Sequence, residues 1–212
     1  MRRRQFLVLG GAAVAWPIGA GAQPERMRHV GVIMSIGADA EGQRRIAIVR
    51  QGLQQLGWAE GRNVSIEVRW TAGNSDTIRK SVTEMVALAP DVILAAGSAV
   101  AGPLLQVTRT VPVVFVHAPD PVGAGLVDSL ARPGGNATGF TQFEYSMSGK
   151  WLELLKQIAP RVTRAAVLRD PTISAGLGQF GALQIAAPSF GLEVKAVNVR
   201  DPGEIERGIV AF

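Results

Sequence analysis

From Arg28 onward, apolar and polar positions alternate between two rhythms. Val30 to Met34, Asp91 to Ala96 and Val111 to Val116 are short, almost unbroken apolar runs, as in strands covered on both faces. Val64, Ile66, Val68 and Trp70 alternate with Ser65, Glu67 and Arg69, the period of a strand with one face covered. Between these runs the period lengthens. Ile46, Val49, Leu53 and Leu56 line one helical face ahead of Gly57. Asn74-Ser75-Asp76 precedes Ile78, Val82, Met85 and Val86 as a helix cap. A short helix follows Gly97-Ser98, with Pro103 near its start. Residues 117–136 read as loop with a short helix near Leu126 to Ala131, and Ala137 to Thr141 resumes an extended run. Ser146 opens a helix bearing Leu152, Leu155 and Ile158, and Ala165 to Leu168 is a strand. Leu177 to Phe190 reads as a helix and Leu192 to Val199 as a strand. A last helix begins at Asp201-Pro202, with proline in its first position.

Strand and helix alternate throughout, which predicts parallel α/β architecture. The rhythm restarts near Arg164 after a long helix. This suggests two similar lobes, residues 28–142 and 143–212, with the crossing near Thr141 to Ser146. Only two strands fall in the second lobe, too few to close a core of their own. The second lobe is therefore expected to be incomplete relative to its fold. The 212-residue chain is in turn expected to be unstable in its second half, to self-associate and not to close on a ligand.

The first twenty-two residues obey a different rule. Arg3-Arg4-Gln5-Phe6-Leu7 leads into an uncharged apolar stretch ending at Trp16, and Ala20-Gly21-Ala22 follows with small residues. This is the order of an export signal, and the arginine pair points to the twin-arginine translocase as the partner in export. Eleven apolar residues are too few to cross a hydrocarbon core, which takes about 20. The expectation is a periplasmic protein cleaved near Ala22-Gln23.

Setting the signal aside changes the charge argument. The chain carries 22 Lys+Arg against 17 Asp+Glu, a net +5. Three of those arginines belong to residues 1–22, which hold no acid, so the remainder carries only +2. Its basic residues are scattered and no stripe pairs them with stacking aromatics, which argues against nucleic acid. With no Cys there are no disulfides, thiol nucleophiles or lipid-anchored cysteine. His29 and His117 match no metal spacing, and no cofactor fingerprint occurs. No Gly-x-Ser-x-Gly elbow is present. Binding is favoured over catalysis.

Several segments are similar to one family. Leu56-Gly57-Trp58-Ala59-Glu60-Gly61-Arg62-Asn63-Val64, Phe115 to Gly123 with its Pro119-Asp120-Pro121, and Leu130 to Gly139 with its Pro133-Gly134-Gly135-Asn136 resemble the periplasmic substrate-binding proteins of ABC transporters, of the tryptophan/tyrosine-binding type. Leu152 to Lys156 and Ala166 to Leu168 continue the resemblance in order. It implies two Rossmann-like lobes with parallel sheets, a type I periplasmic binding protein fold whose second lobe is truncated here. It also implies capture of a small ligand between the lobes and delivery to the membrane subunits of an ABC permease. A sensor's ligand-binding subunit and an exported α/β enzyme are the alternatives.

Candidate ligand contacts sit where strands end. Gly97, Ser98 and Ala99 open a helix after a buried strand, where free N–H groups and the helix dipole favour an anion. Ser98 either adds a hydroxyl to the ligand or caps the helix. Ser35 ends the first strand in the same kind of place, as a contact or as ordinary loop. Asp120 meets a ligand ammonium or forms a turn with its own backbone. Thr141 and Gln142 lie at the crossing, as ligand contacts or hinge. Ser174 is the second-lobe counterpart, as contact or cap. The mostly hydroxyl and N–H character predicts a carboxylate ligand such as an amino acid.

Overall fold

A computed structural model describes residues 26–171, 174–199 and 201–212, with every side chain among them except that of Ser174. The export signal read from residues 1–22 lies outside the described residues. The chain forms a five-stranded parallel sheet and a separate two-stranded parallel sheet.

The large sheet has the order β2-β1-β3-β4-β5, built from β1 (Arg28–Met34), β2 (Val64–Trp70), β3 (Val92–Ala96), β4 (Val113–Ala118) and β5 (Ala137–Thr141). Helices α1 (Ala40–Gln55), α2 (Ser75–Ala87) and α3 (Ser98–Val107) connect the first four strands. Because successive side chains point to opposite faces, β1 feeds two cores. Ile33 packs with Ile93, Ala95 and Phe115 against Val82 and Met85 of α2 and Val100 and Leu104 of α3. Val32 and Met34 pack on the other face with Ile46 of α1. Burial of both faces is why β1 and β3 read as continuous apolar runs. Side chains close the helix starts: Asp39 Oδ1 accepts from Gly42 N at 2.9 Å, and Asn74 Oδ1 accepts from Thr77 N at 2.9 Å.

The Leu56 to Val64 segment turns out to be a self-tied loop. Buried Asn63 accepts from the Ala59 N–H at 2.8 Å and donates to the Gly57 carbonyl at 3.1 Å. Gly57 takes φ +88°, the left-handed region that suits glycine. The Pro133-Gly134-Gly135-Asn136 segment is a turn, as expected. Its Asn136 amide donates to the Val111 carbonyl at 2.7 Å and so fixes the entry to β5.

Residues 126–131 do not form the expected helix. Pro121, Gly123 and Gly125 break the local rhythm, and the backbone closes turns instead: Ala124 N to Asp120 O and Leu126 N to Pro121 O, both 2.8 Å. Leu126 and Val127 still reach the core.

The small sheet pairs β6 (Arg164–Arg169) with β7 (Glu193–Asn198). Around it lie α4 (Ser148–Ile158), α5 (Ser174–Ala186) and α6 (Pro202–Val210). Leu152, Leu183, Ala187 and Leu192 form its core. Helix α4 starts at Ser148 rather than Ser146, because Tyr145–Met147 form a 3-10 turn first. Helix α5 starts before Leu177 and gives way to a 3-10 turn at Ala187–Phe190, where Pro188 falls in a first-turn position. Asp201 caps α6 and Pro202 opens it, as the sequence predicts.

Asp91 ties the amino ends of β1 and β3 together. Its carboxylate accepts from the His29 N–H and from Arg28, each at 2.8 Å. The backbone N–H first, and then Arg28, hold its pKa below the ordinary 3.8. A lowered folded-state pKa stabilises above the unfolded value and is lost as pH falls through the folded value. Asp91→Asn will therefore cost stability at pH 7, and the gap between variant and parent in urea midpoint will shrink on titration below about pH 4. A gap that stays constant to pH 2 refutes this role.

Candidate functional site

The strand order 2-1-3-4-5 makes β1 and β3 neighbours whose connections run in opposite directions, the place where open α/β sheets bind ligands. The structure brings Ser35, Gly97, Ser98 and Ala99 together there. Ser35 follows β1 directly and donates its N–H to Ala96 O at 3.2 Å. Gly97 follows β3 and donates to Val116 O at 2.9 Å. A Cβ on Gly97 would lie 2.8 Å from Ser35 Oγ, and its φ of +108° is open to glycine alone. Bare backbone is thus required at this junction.

Gly97, not Ser98, is the N-cap of α3, and it offers no side chain for the helix end. The Val100 and Ala101 N–H groups return to Gly97 O, each at 3.1 Å. Among the described residues the Ser98 and Ala99 N–H groups have no partner, and neither does the Ser98 hydroxyl, although Ser98 is only 7% exposed. Donors left open at a helix start form an anion seat.

Asp120 takes the turn conformation. Its Oδ1 accepts from Gly123 N at 2.8 Å, its Oδ2 accepts from Tyr145 N at 3.4 Å, and its own N–H donates to Phe143 O at 2.8 Å. The Thr141 hydroxyl lies 3.1 Å from Ala118 O and 3.2 Å from Phe143 O, so it staples the crossing segment to the end of β4. Gln142 is exposed beside it. Ser174 opens α5, which gives the strand-loop-helix order expected there, while its hydroxyl lies outside the described residues.

The crossing is also tied to α5. The Ser148 hydroxyl donates to Tyr145 O at 2.6 Å and accepts from the Gln179 amide. The Tyr145 ring lies over Gly178, where an added Cβ would come within 2.7 Å of the phenol oxygen. Burial, and then the Asp120 charge, raise the Tyr145 pKa above its ordinary value.

His117 carries no spacing signal, and sequence reasoning set it aside. The structure places it, exposed, at the carboxyl end of β4 with φ +55°, inside a register shift between Phe115 and Ala118. Bulges of this kind re-aim side chains and gather near functional sites. It directly follows Val116, whose carbonyl holds Gly97. Among the described residues no three His, Cys, Asp or Glu side chains cluster as metal ligands would.

The model of one family, described as ABC transporter substrate binding protein, matches residues 29–211. The chain belongs to that family. A relative in it, the tyrosine-binding protein of Clostridioides difficile (strain R20291), is 26% identical over 159 residues, which is 75% of this chain and 46% of that protein. The chain thus spans about half the length of this curated relative. Among solved structures, a conserved domain protein from Vibrio cholerae O1 biovar El Tor str. N16961 superposes with a TM-score of 0.75 at 26% identity, over 87% of this chain and 61% of that one. The ABC domain from Streptococcus pneumonia in complex with L-Trp gives 0.74 at 23% identity over the same shares, a likeness of fold. The curated relative is named for binding tyrosine, and the solved structures share the parallel α/β fold expected from the sequence.

Proposed function

We propose that this chain captures a small carboxylate, such as an amino acid, for an ABC importer and presents it to the membrane permease. The observation that carries the reading is the open start of α3. Among the described residues, two backbone N–H groups and the Ser98 hydroxyl have no partner beside Ser35 at the point where β1 and β3 diverge. Binding the carboxylate there satisfies the donors, and the helix dipole favours its charge. The family relatives named for tyrosine and solved with L-Trp suggest an aromatic amino acid. In this reading residues 28–142 form one lobe and residues 143–212 part of a second. Thr141 and Gln142 lie in the hinge between them, and Ser174 faces the ligand from the second side. Closure by hinge motion then makes the complex that a permease recognises.

A thermal-shift screen with L-tyrosine, L-tryptophan, benzoate and uncharged sugars tests it. Carboxylates will raise the melting temperature in proportion to the logarithm of their concentration. Stabilisation by sugars alone overturns the carboxylate assignment. The reading also places the protein in the periplasm by way of the twin-arginine translocase. Replacing Arg3 and Arg4 by Lys will hold the precursor in the cytoplasm, because lysine offers a point charge in place of a guanidinium fork. Unchanged periplasmic yield refutes that route.

A further inference from the structure

Helices α1, α2 and α3 run back against the parallel strands, so their last residues gather at the amino edge of the large sheet, opposite the edge that carries Ser98. Each ends on an aliphatic side chain that packing leaves outside. Leu56 caps α1 at 77% exposure, Leu88 caps α2 at 58%, and Val107 closes α3 at 49%. Trp58 joins them, bordering clefts of about 490 and 380 Å³ that both reach Arg28. Single exposed apolar side chains are ordinary, but these four share one edge, and the core beneath them does not account for it.

The same edge is positive. Arg26 and Arg28 share one carboxylate, that of Asp91, at 3.8 and 2.8 Å. Arg62 and Arg109 are exposed and pair with no acid among the described residues. Arg50 is balanced by Glu60 and Lys80 by Glu84, and Arg132 and Asp128, in the loop that enters β5, cancel in sign. Four arginines against Asp91 leave +3. The carbonyl ends of the three helices, each equivalent to roughly −0.5 charge, offset about half of it.

We propose that this edge docks on a bilayer carrying anionic phospholipid, with the aliphatic tips and the Trp58 ring in the headgroup layer and the four arginines on its phosphates. The charge is complementary, and tryptophan belongs at that depth. Helix α1 lies on one face of the sheet and α2 and α3 on the other, so the apolar points straddle it. A fluid surface takes separated points one by one, whereas a folded partner needs a continuous packed core. A second copy of the chain would set like charge against like across its twofold axis. Residues 1–25 also lead into the fold at Arg26, on this face. Trp16, where the apolar run ends, is ten residues away, at most about 35 Å of chain. A bilayer that holds the run is thus within reach of the edge. The ligand edge, at the other end of the strands, stays free, so this inference is independent of the carboxylate seat.

Co-sedimentation with lipid vesicles tests it on the chain from Gln23 onward, which keeps every described residue and removes the apolar run as a cause. Vesicles containing phosphatidylglycerol are expected to bind on the order of tenfold more strongly than phosphatidylcholine alone. About 1 M salt, which shortens screening to about 3 Å, will release the protein. Arg26→Glu with Arg109→Glu, and separately Leu56→Asp, will each remove most of the binding. Leu88→Asp serves if the Leu56 variant melts early. Arg44→Glu, at the opposite edge, will bind like the parent. Equal binding to both vesicles, an equal loss in Arg44→Glu, or full binding by either amino-edge variant overturns the proposal. Polyglutamate that competes with the vesicles and binds Leu56→Asp as well as the parent assigns the edge to an acidic protein instead and overturns the membrane as its occupant.

Discussion

Ser98→Pro will leave the protein folded and weaken binding of a carboxylate ligand on the order of 100-fold. Ser98 is the first residue of α3, the position where proline is best tolerated, since that N–H has no helical acceptor. The preceding Gly97 already has ψ 147°, the extended value that a following proline demands. The substitution therefore removes one backbone donor and one hydroxyl with little cost to the helix. Hydrogen bonds to a charged group are worth about 1.5–3 kcal/mol each, so losing two gives the expected factor or more. Ser98→Ala keeps the N–H and will cost only about tenfold. Calorimetry with L-tyrosine and a thermal melt on each variant decide the matter. A proline variant that binds as tightly as its parent moves the ligand away from α3.

The second large effect concerns the two sheets. Amide exchange will be roughly a hundredfold or more slower in Val92–Ala96 than in Val194–Asn198. In β3, Ile93 and Ala95 are fully buried, and the strand lies between β1 and β4 with helices on both faces. In β6–β7 there are two strands only, and Arg164, Ala166 and Leu168 stand exposed along one of them, Leu168 at 59%. A two-stranded sheet is marginal without covered faces. Local opening there exposes little apolar surface and so costs little. Equal protection in the two segments shows that the small sheet is held by more than these contacts.

The chain declared its architecture because buried parallel strands need no polar face. Val30 to Met34 and Val92 to Ala96 stood out as unbroken apolar runs, and both are strands covered on two sides. The alternation from Val64 to Trp70 was equally plain. The start of α3 was legible in part. Gly97-Ser98 after a strand announces a helix N-terminus, but which of the two residues is the cap depends on backbone angles that spacing does not encode. His117 was illegible. Its position follows from the β4–β5 register shift, a pairing between residues more than twenty apart in sequence. The helix expected at Leu126 to Ala131 failed for a related reason. Leu126 and Val127 look helical by period, but they are drawn inward by the core beneath a chain of turns.

Three helices point their amino ends at the same edge of the large sheet, yet only one is left open. Asp39 and Asn74 stop α1 and α2 from their own side chains, while α3 begins on a glycine. Their dipoles add at this edge, and an arriving anion senses all of them before it touches any. The capped ends nonetheless turn it away, α1 most strongly because its stopper is itself a carboxylate. On the proposed reading, where the ligand settles is thus decided by subtraction. The address would then be written in the one cap that is missing, and a single substitution that exposed α2 would give an anion a second place to land.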